Sequence, residues 1–218
     1  MAGAWEIGSP QVLVAILTRE QVTTKWAQGL RELQLPPQSA IIFLAGMPFD
    51  HARNSACQQV LQSGFTWLFF LDDDVIPPPN VIPTLMSRGK DIISGLYYRR
   101  ADPIMPVMLA DTKPKPSFIT NFQPGSIVEA DMVGAGCLLI HRRVLERVPA
   151  PKFEWLIDYD GVHTDRNIPE DTRCSEDFAF CRKAKKLGFS VSVDTSMQCI
   201  HCGLSASAFP GSFSPLHL

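Results

Sequence analysis

Five consecutive apolar residues, Trp67-Leu68-Phe69-Phe70-Leu71, run directly into three aspartates, Asp72-Asp73-Asp74. A strand with no polar alternation is buried on both faces, as in a parallel sheet covered by helices. The residues before it fit that arrangement. Gln11–Leu17 reads as a buried strand, and Val22, Trp26, Leu30 and Leu33 follow at helical spacing. Thr18 and Gln21 fit a capping box for that helix, and Pro36-Pro37 stops it. Ala40–Ala45 is a second strand, and Asp50 opens a helix carrying Ala52, Ala56, Val60 and Leu61 on one side. Strand, helix, strand, helix, strand is an α/β opening of the nucleotide-binding type.

Downstream, Pro77-Pro78-Pro79 launches a short helix through Met86, which Gly89 can close. Asp91–Tyr97, Met105–Ala110, Cys137–His141 and Ser190–Val193 read as further strands, and Glu176–Leu187 as a helix ending at Gly188. Residues 111–125 read as loop. Residues 158–174 are polar and without periodicity, long enough for a functional lid. At 218 residues the chain supports one sizeable core. We therefore expect a single α/β domain with a mostly parallel sheet. Residues 1–110 would form a nucleotide-binding half, 111–203 an acceptor half, and 204–218 a loosely packed tail.

Composition removes several classes. The net charge is -2 with no run of Lys and Arg to track a phosphate backbone, so general nucleic-acid binding is not expected. No segment approaches the ~18 apolar residues of a membrane span. Residues 1–10 lack a basic start and an apolar signal core, so the expected location is cytoplasmic, with the six cysteines reduced.

The aspartates sit where a buried strand runs out, and ligands of open α/β sheets collect at the carboxyl ends of strands. Adjacent carboxylates repel one another, and a divalent cation relieves that cost. Alternation in an extended segment would let Asp72 and Asp74 share a site while Asp73 faces elsewhere. Hard oxygen ligands favour magnesium or manganese. A solvated acidic turn before a proline-capped helix is the alternative.

Several segments, in order, resemble the GT-A-fold glycosyltransferases, especially their large inverting group with bacterial and phage members. Phe69 to Pro78 is similar to the DxD region, and Ala52-Arg53-Asn54 to an upstream Arg-Asn pair. Val133-Gly134-Ala135-Gly136-Cys137 resembles the acceptor-side glycine turn, and Ser175-Glu176-Asp177-Phe178 the Glu-Asp motif. Cys199-Ile200-His201 matches a late histidine of the metal site. The resemblance spans roughly residues 11 to 203.

It implies a GT-A-like domain that moves a sugar from a nucleotide-sugar donor, with UDP as the default carrier, to a hydroxyl acceptor. Asp72 would face the ribose and also count among the metal residues. Asp74 and His201 would bind the cation, with manganese favoured over magnesium. Thr18, Arg19, Arg53 and Asp73 complete the donor-binding set, Arg53 reaching the base or the diphosphate. As in the inverting members, Asp177 would take the acceptor proton, and Glu176 would position it or bind the acceptor, whereas a retaining enzyme of the same fold needs no such base. A helix N-terminus capped by Ser175 explains the same acidic residues without catalysis. Asp131, Gly134, Ala135, Gly136 and Trp155 are the acceptor-side candidates. Tyr97-Tyr98-Arg99-Arg100 and Phe153-Glu154-Trp155 have the character of a sugar-binding surface or, equally, of strand ends.

Three other readings stand beside this one. A zinc protein would use Cys174, Cys181, Cys199, His201 and Cys202, but their spacings do not repeat. A nucleotidyltransferase shares the α/β opening, yet Thr18-Arg19-Glu20-Gln21 lacks the glycine-rich loop that would hold a triphosphate. A non-catalytic nucleotide- or sugar-binding module on the same scaffold is the third.

Overall fold

Apolar side chains on both faces of the leading strands require helices on both sides of a sheet. A computed structural model describes residues 11–113, 115–156, 173–202 and 207–208. Strand β1 (Val12–Thr18) sends Val12, Val14 and Ile16 to one face and Leu13, Ala15 and Leu17 to the other. Strand β3 (Trp67–Asp72) divides likewise, with Trp67, Phe69 and Leu71 on the first face and Leu68 and Phe70 on the second. Between them in sequence lie α1 (Thr24–Glu32), β2 (Ala40–Ala45) and α2 (Phe49–Gln62). Helix α1 covers the first face through Trp26, and α2 covers the second through Ala52, Ala56 and Val60.

After β3 come β4 (Val75–Ile76), α3 (Val81–Ser87), β5 (Ile92–Leu96), β6 (Met108–Ala110) and β7 (Ser117–Phe118). Next are β8 (Ile127–Ala130), β9 (Met132–Val133), β10 (Cys137–His141) and α4 (Arg142–Arg147). The chain then runs through α5 (Glu176–Lys186), β11 (Val191–Gln198), β12 (Ile200–Cys202) and β13 (Ser207–Ala208). The central sheet has seven strands in the order β2-β1-β3-β10-β5-β11-β8. Strands β1, β2 and β3 are mutually parallel, and β5 and β11 run the same way because β10 is antiparallel to both β3 and β5. Strand β8 pairs antiparallel with β11. The fold is thus mixed α/β with one mostly parallel sheet, and that sheet takes strands from both expected halves of the chain. No helix among the described residues is long and apolar enough to cross a membrane.

Several local expectations change. Helix α1 is capped by Thr23, whose hydroxyl accepts from the Trp26 amide at 3.1 Å, and not by Thr18. The Thr18 hydroxyl is already taken by the Glu20 amide at 2.9 Å, which leaves Val22 outside the helix and exposed. Asp50 lies in the first turn of α2, with Pro48 at the cap position. The helix after the prolines begins at Val81, and Gly89 ends it with φ 63°. Residues 111–125 are not wholly loop, since Ser117–Phe118 pairs with β6. Strands β4, β8, β9 and β12 and helix α4 were not read from the sequence. Each is short, and the two- and three-residue strands carry no periodicity to read. The expected lid falls largely on residues 157–172, outside the described residues, as do 203–206 and 209–218 of the tail.

Candidate functional site

The carboxyl ends of β1, β2 and β3 meet at one edge of the sheet, and the three aspartates stand there. They do not share one partner. Asp72 is the last residue of β3, and its side chain points to the face covered by α2. Asp73 and Asp74 form a turn before β4. The extended alternation that would bring Asp72 and Asp74 together therefore stops at Asp72. The Asp73 carboxylate accepts from the Arg19 amide at 2.9 Å, and Asp74 faces Arg100 and His201.

The inner group is built around Arg53. Its guanidinium is only 3 % exposed, yet it carries a full charge. Nε donates to Glu176 Oε1 at 3.1 Å, one terminal nitrogen to Asp72 Oδ1 at 3.2 Å, and the other to the Ala135 carbonyl at 3.3 Å. It also lies over the Phe70 ring, 5.0 Å from the centroid. Arg53 was expected to reach a base or a diphosphate, but its donors are turned inward to these three groups. Buried charges persist only when paired in this way. Burial pushes the Glu176 carboxyl up to about 7, the neighbouring Asp177 charge adds to the rise, and Arg53 opposes it. Asp72 is also raised, first by burial and then by Asp74 and Asp177, against the pull of Arg53. Neighbouring Asn54 holds the chain at Lys152–Phe153, accepting from both amides and donating to the Phe153 carbonyl at 2.7 Å.

Asp177, the second residue of α5, lies beside this group and is half-buried. It accepts from the Ser175 hydroxyl, from the Phe178 amide at 2.8 Å and from the Ala135 amide at 3.3 Å. Ser175 stands at the N-cap position but makes no side-chain cap bond, because its hydroxyl serves Asp177. The glycine turn is thus tied to both acidic residues, through the Ala135 carbonyl to Arg53 and through its amide to Asp177. Its glycines make room for Tyr97. A Cβ on Gly134 would lie 2.0 Å from the Tyr97 hydroxyl, and one on Gly136 would meet both Tyr97 and Asp72 Oδ2. The hydroxyl in turn accepts from the Gly136 amide at 3.1 Å. Tyr97 is buried, so it is a support beneath the turn and not part of an exposed sugar-binding surface.

The outer group is more open. Asp74 Oδ2 lies 2.8 Å from an Arg100 terminal nitrogen and 3.4 Å from His201 Nε2. The pairing of β12 with β4 sets this geometry, since His201 stands opposite Val75 and the Cys202 amide donates to the Asp74 carbonyl at 2.6 Å. His201 Nδ1 is 2.7 Å from the Tyr98 carbonyl, which can only accept, so Nδ1 carries a hydrogen and Nε2 faces Asp74. The imidazole also meets the Tyr97 ring edge-on, 5.5 Å between centroids. Burial alone would raise the Asp74 carboxyl, but His201 and Arg100 outweigh it and hold it below the usual range.

Asp74 and His201 suit a divalent cation in donor type and spacing. Adjacent ligands of an octahedral ion with ~2.1 Å bonds stand roughly 3 Å apart, close to the distance found here. A backbone carbonyl on Nδ1 is the usual support for an Nε2 ligand. Among the described residues no three His, Cys, Asp or Glu side chains converge to hold an ion. Further ligands would therefore be water and substrate oxygens. The six cysteines are buried free thiols, and Cys181 packs beneath β9 with its sulfur 3.7 Å from the Val133 carbonyl.

Two cavities adjoin the aspartates. One of about 540 Å³ is lined by Thr18, Arg19, Glu20, Met47, Phe49 and Ala52 among others. A second, of about 280 Å³, is lined by Arg19, Phe49, Asp72, Asp73, Asp74 and Arg100. Arg19 and Phe49 belong to both, and the Arg19 guanidinium lies 5.7 Å from the Phe49 ring centroid. Glu20, Met47, Phe49 and Arg100 line these cavities and were not expected there from sequence. The position of Met47 and Phe49 directly after a sheet strand was the signal that could have found them.

Asp131 does not join the site. It pairs with Lys185 near the end of α5 and accepts from the Asp111 amide at 2.8 Å, about 12 Å along the helix from Asp177 at 1.5 Å per residue. Trp155 is half-buried and lies just before residues 157–172. Leu156 and Cys174 exchange backbone hydrogen bonds of 3.0 and 3.3 Å, which brings the two ends of that segment together beside Ser175.

No family profile matches the chain, and no curated protein sequence does. In structure the chain is similar to A197 from STIV, with a TM-score of 0.65, 17 % identity, and coverage of 92 % of this chain and 90 % of that one. At that identity the likeness speaks for the fold alone.

Proposed function

We propose that this chain is a GT-A-like, metal-dependent glycosyltransferase that moves a sugar from a nucleoside-diphosphate sugar to a hydroxyl acceptor. The observation that carries the reading is the pair of cavities at the carboxyl ends of the parallel strands, which share Arg19 and Phe49 in their linings. The larger suits a nucleoside, with Phe49 and Arg19 as stacking and charged surfaces. The smaller has the size and position for a diphosphate, and its acidic lining calls for a cation as partner. Asp74 and His201 would hold manganese or magnesium there. When bound, such an ion neutralises charge on the departing diphosphate.

The protein residues divide the remaining work. Asp73 fixes the main chain at Arg19, so the floor of the nucleoside cavity is tied to the aspartate turn. Arg53 holds Asp72, Glu176 and the Ala135 carbonyl in one frame, which makes it and Glu176 positioning residues. Asp177 is the base that accepts the acceptor's hydroxyl proton at a carboxylate oxygen, oriented by the Ala135 amide.

A second reading has an observation of its own. Both Asp177 oxygens already accept hydrogen bonds within the protein, as a purely structural helix-terminal carboxylate would. A non-catalytic nucleotide-sugar-binding module would look the same. Thermal unfolding with UDP, GDP and their sugar conjugates, each with and without manganese, tests the shared part of both readings. A stabilising shift that requires both ion and nucleotide is expected, since ligands of the native state raise its stability by mass action. No shift with any pair would discard both. Asp177→Asn then separates them: the enzyme keeps the shift and loses donor turnover, whereas a binding module has no turnover to lose.

A further inference from the structure

Resting on the donor-site reading above, we infer that Arg100 is the resident cation of the Asp74–His201 pair, displaced by the divalent ion and then taken up by the donor diphosphate. Three observations lead there. Arg100 and His201 approach the same oxygen, Asp74 Oδ2, at 2.8 and 3.4 Å. A divalent ion bonded to that oxygen and to Nε2 would meet the guanidinium as a like charge at contact range, so the two cations exclude each other. The second Arg100 nitrogen donates to the Cys202 carbonyl at 2.7 Å, so the fork spans from the aspartate turn to the strand that carries His201.

Among the described residues little holds the arginine in that place. Its side chain is 39 % exposed, and the described residues offer it two hydrogen-bond partners, Asp74 and the Cys202 carbonyl. An exposed ion pair of this kind contributes little, small against the attraction of a dication for the same carboxylate. Arg100 also lines the 280 Å³ cavity with the three aspartates and Arg19. Once off Asp74, its planar fork remains beside the space assigned to the diphosphate, and guanidinium matches phosphate oxygens two at a time.

The ion and the nucleotide therefore bind as a pair. Metal alone must displace Arg100 with no new partner for it, while nucleotide alone meets a cavity lined by three aspartates with Arg100 still held on Asp74. Each ligand removes the other's cost, which is positive coupling between two sites.

Manganese titration of the full chain, followed by the paramagnetic resonance of free Mn²⁺, tests this with wild type, Arg100→Gln and Arg100→Lys, each with and without UDP or GDP. Arg100→Gln should bind manganese alone about five- to tenfold tighter than wild type and gain less from the nucleoside diphosphate. Arg100→Lys keeps the charge without the fork and should fall between them. Equal or weaker manganese binding by Arg100→Gln overturns the role of Arg100 and leaves the donor site intact. Absence of manganese binding by every form, with either nucleotide, overturns the donor site itself and this inference with it.

Discussion

The inner and outer acidic groups arise from one run of aspartates yet obey different energetics. Asp72 is held by a buried arginine that also carries Glu176 and a main-chain carbonyl, and removing any member leaves a charge or a polar group without its partner. Asp74 faces an exposed arginine and a histidine at the edge of a small sheet, where water can replace either partner. Two residues of sequence separate a structural frame from an exchangeable binding position. The difference follows from which way the chain turns after β3, not from the residue type.

Arg53→Met should break the frame outright. Losing a buried pair's counter-charge costs ~3–5 kcal/mol, so denaturant unfolding should show a loss of that size. A loss under ~1 kcal/mol would make the inner group as dispensable as an exposed pair and end the contrast. Next in size is Gly134→Ala, which drives a methyl into the Tyr97 hydroxyl and Val107 and should cost about 1–3 kcal/mol. The same change in a Tyr97→Phe background should cost less than the two changes summed, because the struck atom is gone. Strict additivity would show that Tyr97 does not support the turn.

Glu176 sharpens the comparison through pH. Its folded value of about 7 lies above the ordinary 4.5, so the fold favours the protonated form. The resulting stabilisation is complete below about pH 4.5 and is lost as pH rises to 7. Glu176→Gln, which stays neutral, should therefore gain on wild type across that window in thermal unfolding. A difference independent of pH would mean that Glu176 titrates in the fold as it does in the unfolded chain. The smallest stability effect belongs to Asp74→Ala, within ~0.5 kcal/mol of wild type because its ion pairs are exposed, even as metal-dependent nucleotide binding disappears. A large loss of stability there would move Asp74 into the frame.

Much of the scaffold was legible because β1 and β3 are apolar at every position but the last and helices α2 and α5 keep their periodicity. The site was legible only in outline. The inward turn of Arg53 was not legible because its burial depends on Glu176 and Ala135, distant in sequence. The turn at Asp73–Asp74 that parts the two carboxylates has no glycine or proline of its own to announce it. Asp131 sits next to the glycine turn in sequence and yet belongs to the far end of α5, a separation that only the packing of β8 and β9 reveals. The β4–β12 ladder has too few residues for any pattern.

That ladder has a consequence for how the chain matures. Asp74 and His201 are far apart in sequence, and the hydrogen bonds between two very short strands are what set them side by side among the described residues, with the Arg100 fork across them. Closing so long a loop is costly, and so short a ladder returns little by itself. An ion gripping both residues would act as a staple, and its binding energy would become folding energy for β12. Affinity for the ion would then report that β12 has docked on the aspartate turn.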